Sequence, residues 1–261
     1  MSFTASASAR APLLALDDAL QRLLAQAHPL ERTESVSTFD ADGRVLAADL
    51  VSGLQVPPQD NSSMDGYAVR SADVSHAGAV VRVSQRIPAG AAAHPLEPGT
   101  AARIFTGAPV PPGADTVVMQ EDTEAVGGDV HGVRFHRVPE AARWIRRAGE
   151  DVGRGAVVLP QGARLSPASL GLAASIGCAR LAVAARVRVA LFSTGDELVM
   201  PGAVAPADMP AGAIYNSNRF FLRALLHRFG CEVSDLGIVP DRRDATVAAL
   251  KSAADHHDLI L

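Results

Sequence analysis

The sequence predicts a multidomain protein of mixed α+β and α/β class. It would have a helical domain interrupted by a small β domain, followed by the first part of a doubly wound parallel α/β domain. Three patterns support this: helical apolar spacing near the start, short alternating runs in the middle, and strands alternating with helices at the end. We place the helical domain at 9–52 and 141–184, the β domain at 53–140 and the partial α/β domain at 185–261.

Two segments predict the helical domain. The first carries apolar residues at three- and four-residue steps and ends near Pro29; they are Leu13, Leu16, Leu20, Leu23, Leu24 and Ala27. This spacing places them on one stripe of an amphipathic helix. In the second segment Ser166 stands as N-cap, Pro167 lies in the first turn and Gly177 ends the apolar run. Helical character thus resumes after the β segment, as expected when one domain is inserted into another.

The β domain is predicted from short alternating runs such as 81–83 and 133–136, which are separated by many prolines and glycines. Alternation of apolar and polar residues is typical of strands with one buried face. A small β domain between two helical segments follows.

The last segment predicts strands that alternate with helices. The expected strands are 187–192, 233–239 and one that begins at 258–261. A helix at 218–229 stops at Gly230, and Asp241 is expected to cap a second helix. Strands connected by helices of this length form right-handed crossovers in a parallel sheet. Ligands bind such sheets outside the carboxyl ends of the strands.

Composition excludes several classes of protein. Apolar residues make up 48% of the chain and charged residues 20%, the balance of a globular protein. The net charge of −4 disfavours a nucleic-acid binder. No apolar run is long enough to span a membrane and the start has no hydrophobic signal core, so we expect a cytoplasmic protein. Cys178 and Cys231 have no partner at zinc-site spacing.

The segment from Ser193 to Glu197 directly follows a predicted parallel strand. Backbone N–H groups of a glycine-containing turn can hold a phosphate, and the carboxylates of Asp196 and Glu197 are hard oxygen donors for Mg²⁺. The same turn could instead cap a helix or close a loop. Asp241, after the next strand, could likewise be a helix cap, a carboxylate of the site, or both.

Three further loops carry candidate polar groups. Asp65-Gly66 before an apolar run is also an ordinary turn into a strand. Thr106-Gly107 precedes three prolines within six residues, a rigid loop that could present a hydroxyl and an N–H, although rigidity alone would explain the prolines. Arg146 and Arg147 suit an anion or form a solvated charge run. The cluster at 256–258 is predicted to be a solvated helix end and not a metal site, because adjacent helix residues point in different directions.

Four segments occur in a specific order: Pro57 to Val69, Arg103 to Pro111, Ile145 to Asp151 and Ser193 to Leu198. Through these segments the chain resembles the molybdopterin molybdenumtransferase family, of the MoeA and gephyrin E-domain type. The resemblance extends from about Pro12 to the last residue. Four separated motifs are more specific than one glycine loop. The resemblance also implies that family members continue past the position of Leu261, into a Ser/Thr-Gly-Gly-Val-Ser loop and a further β domain, so the chain is expected to be C-terminally truncated.

The resemblance implies roles for individual residues. The expected catalytic residues are Asp65, Thr106 and Glu197. Substrate binding is expected at Ser63, Arg146, Arg147, Ser193, Thr194, Gly195 and Asp196. The expected Mg²⁺ ligands are Asp65, Asp151, Glu197 and Asp241. Domains 9–52 with 141–184 are expected to mediate homodimerisation, and 185–261 to bind molybdopterin.

The activity implied is insertion of molybdenum from molybdate into adenylated molybdopterin with release of AMP. Molybdopterin adenylyltransferase and molybdoenzyme acceptors are expected partners, and neither nucleic acid nor a membrane is. An alternative is a non-catalytic fragment that acts as a dimerisation and binding module, and AMP release by the 261-residue chain is expected to be weak or absent. A third hypothesis, an adenylyltransferase, is disfavoured by the long region that contains Met64-Asp65-Gly66.

Overall fold

The computed structural model describes residues 13–127 and 131–261, so the beginning of the predicted helical domain, 9–12, lies outside the described residues. The chain forms two compact units with mixed α and β structure. One, the β-rich unit, comprises Ser35–Val183. The other, the α/β unit, comprises Ala184–Leu261 together with the residues up to Glu34.

The described residues contain four α-helices and a series of strands. The helices are α1 Leu16–Ala25, α2 Pro167–Ser175, α3 Ser217–Arg228 and α4 Arg243–Ala254. The strands are β1 Thr33–Ser37, β2 Leu50–Val51, β3 Asn61–Ser62, β4 Gly66–Val69, β5 Val80–Ile87, β6 Thr100–Ile104, β7 Thr116–Met119, β8 Thr123–Val126, β9 Gly132–Phe135, β10 Ile145–Arg146, β11 Val157–Leu159, β12 Arg180–Ala184, β13 Arg188–Thr194, β14 Leu198–Val199, β15 Ile214–Tyr215, β16 Glu232–Val239 and β17 Leu259–Ile260.

A six-stranded mixed sheet forms the centre of the β-rich unit, in the order β7-β4-β6-β5-β9-β8. The pairing of β5 with β6 is parallel and the other pairings are antiparallel. Neighbouring residues Ala68 and Val69 belong to two different apolar clusters, because successive strand residues point to opposite faces. The sheet is therefore buried on both faces. It includes the strands predicted from the runs at 81–83 and 133–136.

The close approach of β4 to β7 requires glycine at position 66. A Cβ added at this position would lie 1.9 Å from the carbonyl oxygen of Val118. Because that neighbour is backbone, no side-chain movement could relieve the contact. The residue after Asp65 must therefore be glycine for the two strands to pair.

The rest of the β-rich unit packs around a third apolar cluster, which includes Leu46, Leu165, Leu181 and Val183. The short antiparallel pair of β2 with β11 contributes Leu50 and Leu159 to this cluster, whereas Ile145 of the β3–β10 pair packs against the cluster of Ala68. The predicted start of α2 is confirmed: Ser166 Oγ accepts a hydrogen bond from the Ser169 amide, and a proline occupies the first position.

The α/β unit contains a parallel sheet in the order β16-β13-β17. The predicted alternation of strands and helices is confirmed, since α3 lies between β13 and β16 in the chain and α4 between β16 and β17. The predicted cap at Asp241 is wrong. The chain turns at Pro240, and α4 begins at Arg243 after an extended Arg242, with no side-chain cap.

The sequence predicts a solvated helix end at 256–258, and for Asp258 this prediction is wrong. Its carboxylate accepts hydrogen bonds from the Arg188 amide at 2.8 Å and from the Arg188 guanidinium at 3.0 Å, and it pairs with Arg32. These contacts, led by the side chain of Arg188, lower the pKa of Asp258 from 3.8 to about 2. An ion-pair centre thus ties the start of β17 to β13.

Helix α1 has no buried residue. Its predicted apolar stripe is exposed, with Leu16 at 83%, Leu20 at 50% and Leu23 at 71%. Among the described residues, no helix has both the length and the hydropathy to cross a membrane.

Candidate active site

Asp65 and Thr106 are in direct contact in the β-rich unit. Asp65 immediately precedes β4, and Thr106 lies two residues after β6, the strand that pairs with β4. The Thr106 amide and hydroxyl both donate to Asp65 Oδ1, at 2.8 and 2.9 Å. These bonds, the amide bond foremost, lower the pKa of Asp65, and the nearby Arg103 contributes in the same direction. An ionised carboxylate is therefore held at a surface loop.

Ser63 is half-buried in the same segment. Its amide donates to the carbonyl oxygen of Trp144 at 3.0 Å. This bond joins the segment of Asp65 to the residue that directly precedes β10.

Arg146 and Arg147 are both engaged by carboxylates. Arg146 pairs with Asp151, which raises the pKa of its guanidinium. Arg147 Nη1 donates to Asp60 at 2.6 Å, and Asp60 also accepts from the Ala148 amide at 2.8 Å. The amide of Ala148 is the main cause that lowers the pKa of Asp60. These arginines are therefore not a free solvated run, and a bound phosphate would have to exchange with their carboxylate partners.

In the α/β unit, the loop from Ser193 to Glu197 joins the carboxyl end of β13 to β14. Gly195 has φ +139°, a backbone conformation that other residues rarely adopt. A Cβ at Gly195 would lie 2.5 Å from Glu197 Oε2, so the Glu197 carboxylate lies over the glycine backbone. Only glycine leaves room for this arrangement.

A cleft of about 370 Å³ opens beside this loop. Its polar lining includes Ser193, Thr194, Glu197, Tyr215 and Asn216. It lies at the carboxyl end of β13, where ligands bind in parallel sheets.

Asn216 is 2% exposed and connects this loop to a helix. Its Nδ2 donates to Ser193 Oγ at 3.0 Å, and its Oδ1 caps α3 by accepting from the Arg219 amide. The backbone of α3 and the predicted phosphate loop are therefore held in one arrangement by a single buried amide.

Asp196 and Asp241 also meet, because the Asp241 amide donates to Asp196 Oδ1 at 3.2 Å. Across residues 13–127 and 131–261, no group of three or more His, Cys, Asp or Glu side chains is placed to hold a metal. Magnesium usually takes one or two carboxylates together with substrate phosphates and water. Glu197, which lines the cleft, and the adjacent Asp196 would fit such a partial set.

The two units contain different parts of the predicted site. Asp65, Thr106, Arg146 and Asp151 lie in the β-rich unit, and Glu197 lies in the α/β unit. The roles of the individual residues stay predictions.

Sequence reasoning missed Asp60, Arg103 and Asn216 as parts of these arrangements. Asp60 and Arg103 lie inside the motif segments, so a search of those segments for partners of Arg147 and Asp65 could have found them. Asn216 precedes a predicted helix, and an Asn there is a common N-cap. Its second bond, to Ser193, has no local signal in the sequence.

The chain matches two protein families. Residues 14–177 match the family described as "MoeA N-terminal region (domain I and II)", and residues 190–261 match a "Probable molybdopterin binding domain". Molybdopterin molybdenumtransferase of Haemophilus influenzae is 37% identical over 95% of this chain and 60% of its own length. Molybdopterin molybdenumtransferase 2 of Mycobacterium tuberculosis is 41% identical over 92% and 59%, respectively. The chain thus spans about 60% of the length of these relatives.

Solved structures agree with the sequence matches. The crystal structure of the molybdopterin biosynthesis MoeA protein from Pyrococcus horikoshii has a TM-score of 0.86 and 30% identity, and covers 95% of this chain and 66% of that protein. The first family match alone includes more than half of the residues. This chain therefore belongs to the MoeA family.

Proposed function

We propose that this chain carries part of a molybdotransferase, which inserts molybdenum from molybdate into adenylated molybdopterin and releases AMP. The main support is the pair of hydrogen bonds that Thr106 donates to Asp65. They connect two of the four motif segments at an ionised carboxylate. The names of the relatives and the molybdopterin-binding match of residues 190–261 support the same reaction. They favour it over the alternative of a non-catalytic binding module.

Asp65 would act at the reacting end of the substrate. Its Oδ1 accepts both bonds from Thr106, so Oδ2 would be the oxygen that meets a metal or a reacting group. The Thr106 bonds favour the charged form of the carboxylate and hold it in one orientation. Ser63, two residues earlier, would donate a hydrogen bond to an oxyanion.

The loop of Ser193, Thr194, Gly195 and Asp196 would hold the phosphate groups of the substrate. A left-handed glycine lets backbone N–H groups approach an anion closely. Asn216 would keep the Ser193 hydroxyl and the start of α3 in place beside the anion. In the proposed reaction the two dithiolene thiols replace one oxygen of molybdate, which leaves with their protons as water, and one water molecule is consumed when the phosphoanhydride bond breaks and AMP leaves.

We propose Glu197, Asp65, Asp151 and Asp241 as candidate Mg²⁺ ligands, of which one ion would take one or two together with substrate phosphates. When bound, the ion offsets the negative charge of the phosphoanhydride. Glu197 is the best-placed ligand in the α/β unit, because its carboxylate lies over Gly195 beside the cleft. Asp151 would have to share its charge with Arg146.

Arg146 and Arg147 would bind the pterin phosphate by partner exchange. Each guanidinium already has a carboxylate partner at an exposed position, where such pairs contribute little to stability. The phosphoanhydride, with one negative charge on each phosphate, could replace those partners at small cost. Asp60 and Asp151 would then hold the loop ready before substrate arrives.

The domain division that we propose is a helical dimerisation domain at 9–52 and 141–184, a β domain at 53–140 and a doubly wound molybdopterin-binding domain from 185 to 261. The strands of the six-stranded sheet, between Gly66 and Phe135, support the second division. The sheet order β16-β13-β17, with right-handed crossovers, would place α3 and α4 on opposite faces. We further propose that the protein works in the cytoplasm, with molybdopterin adenylyltransferase and molybdoenzyme acceptors as partners.

A homodimer would cover the apolar stripe of α1. Leu16, Leu20 and Leu23 are at least half exposed, and an apolar helix face of this kind is stabilised by burial against a partner. We expect light scattering at micromolar concentration to give twice the chain mass. Replacing Leu16, Leu20 and Leu23 together by serine should shift the mass to that of a monomer, while a monomeric parent would refute the proposal.

The reaction is tested by incubating the protein that contains this chain with adenylated molybdopterin, Mg²⁺ and molybdate. We expect AMP release that depends on molybdate and sulfur-ligated molybdenum in the product. Binding of adenylated molybdopterin without any molybdate-dependent AMP release would instead favour the binding module.

A further inference from the structure

Arg103 connects the backbone on both sides of the Asp65 loop. From β6, its Nη1 donates to the carbonyl oxygen of Gly66 at 3.0 Å and its Nη2 to Gln120 Oε1 at 2.7 Å. The Gln120 amide in turn donates to the carbonyl oxygen of Asp65 at 3.0 Å. The guanidinium thus closes a ring of hydrogen bonds around the peptide group that follows Asp65.

The same guanidinium also stacks on the aromatic residues that flank this loop. It lies 5.1 Å from the ring centre of Tyr67 and 4.6 Å from that of Phe105. Tyr67 follows Gly66 in β4, and Phe105 directly precedes Thr106. Arg103 therefore contacts both of the segments that the Asp65–Thr106 hydrogen bonds join.

Arg86 is a natural comparison for Arg103. It lies opposite Arg103 on the paired strand β5, and its guanidinium is also 4.6 Å from the ring centre of Phe105. In the parts of the chain that the structure describes, however, Arg86 makes no hydrogen bond to the loop of Asp65 and Gly66. Charge and stacking on Phe105 are common to the two arginines, whereas the hydrogen-bonded ring belongs to Arg103.

We propose that Arg103 is a positioning residue of the transferase site: its planar fork holds the Asp65 and Thr106 segments in the register in which Thr106 donates twice to Asp65. The proposal rests on the proposed function for its catalytic consequence, and on geometry alone for the positioning. Lysine could not replace Arg103, because one ammonium group does not reproduce two directed N–H bonds and a planar stack.

The test compares Arg103→Gln and Arg103→Lys with Arg86→Gln and Arg86→Lys. Amide hydrogen exchange at Thr106, followed by NMR, reports the hydrogen bond to Asp65 without reference to activity. We expect exchange about tenfold faster in Arg103→Gln, and faster also in Arg103→Lys, because the loop opens more often once the ring is lost. Both Arg86 variants should exchange like the parent.

Kinetics supply the second readout. Molybdate-dependent AMP release should show kcat lowered about tenfold to a hundredfold in the Arg103 variants, with KM changed less than about twofold, since misplacement of a reacting group affects the chemical step. Both Arg86 variants should keep the parent kcat. If both arginines only stabilised the fold, the Arg103 and Arg86 variants would lose thermal stability alike, and this difference in kcat would not arise.

Unchanged Thr106 exchange in both Arg103 variants, or equal acceleration in the Arg86 variants, would overturn the proposal. If Arg103→Gln does not fold, the contrast between Arg103→Lys and Arg86→Lys decides. The parent protein could release no AMP while its Arg103 variants still show accelerated exchange. This result would support the positioning role and contradict the proposed function, so failure of one proposal is distinguished from failure of the other.

Discussion

The amide and the hydroxyl of Thr106 both donate to one oxygen of Asp65, at 2.8 and 2.9 Å. Two residues 41 positions apart are joined in this way because β4 and β6 are neighbours in the sheet. The arrangement occupies one carboxylate oxygen and favours the charged form of Asp65. It is the most specific link between the sequence motifs and a chemical role.

Removal of the Thr106 hydroxyl should weaken the proposed activity. Thr106→Val keeps the shape and the backbone bond and loses one hydrogen bond to a charged group, so we expect AMP release slowed about tenfold. Thr106→Ser keeps the hydroxyl and should remain within about threefold of the parent. A valine variant as fast as the serine variant would show that the hydroxyl has no part in the reaction.

Gly66→Ala should destabilise the β-rich unit by about 2 kcal/mol or more, since the new Cβ would lie 1.9 Å from a backbone oxygen of β7. Urea denaturation measures the change. Gly171→Ala is the matched control, because this α2 position has open space around it and should gain about 0.5 to 1 kcal/mol. Equal stability of parent and Gly66→Ala would contradict the observed approach of the two strands.

The Asp258 ion pair should make the free energy of unfolding depend on pH in the acidic range. The pKa of Asp258 is lowered to about 2 in the folded protein, mainly by Arg188. A lowered pKa stabilises the fold above the ordinary value of 3.8, and this contribution is lost as the pH falls through about 2. Because both arginine partners are more than a third exposed, we expect a contribution of about 1 kcal/mol or less.

Asp258→Asn tests this expectation in urea titrations. At about pH 7 the variant should be less stable than the parent, and at about pH 2 the two should approach each other. A stability difference that stays constant between these pH values would exclude the ionised carboxylate as its cause.

The elements of the α/β unit could be predicted from sequence because their signals are local. Strand β13 is a short apolar run, and the end of α3 at Arg228 is followed by Gly230, a common helix stop. The start of α4 could not be predicted in this way. Asp241 and Arg242 are adjacent, and the backbone angles at Arg242 decide where the helix begins.

The site was less predictable than the fold. Asp65-Gly66 alone is typical of a turn, and only the pairing of β4 with β6 brings Asp65 to Thr106. Asn216 acts through Ser193 on another strand, a contact that depends on tertiary packing. The resemblance of whole segments to a family singled out Asp65 and Thr106, whereas the supporting side chains became visible through their contacts.

We propose that the loops at Asp65 and at Glu197 are both required for molybdenum insertion. The most direct measurement is the rate of molybdate-dependent AMP release by the protein that contains this chain, as parent, and by its Asp65→Ala and Glu197→Ala variants. Asp208→Ala is the control, because Asp208 is an exposed carboxylate outside the cleft. We predict that the first two variants fold as the parent does and lose the activity, because each removes a charged group from a polar loop and no core volume, whereas Asp208→Ala keeps it. Near-parental AMP release by a folded Asp65→Ala or Glu197→Ala protein would contradict the account.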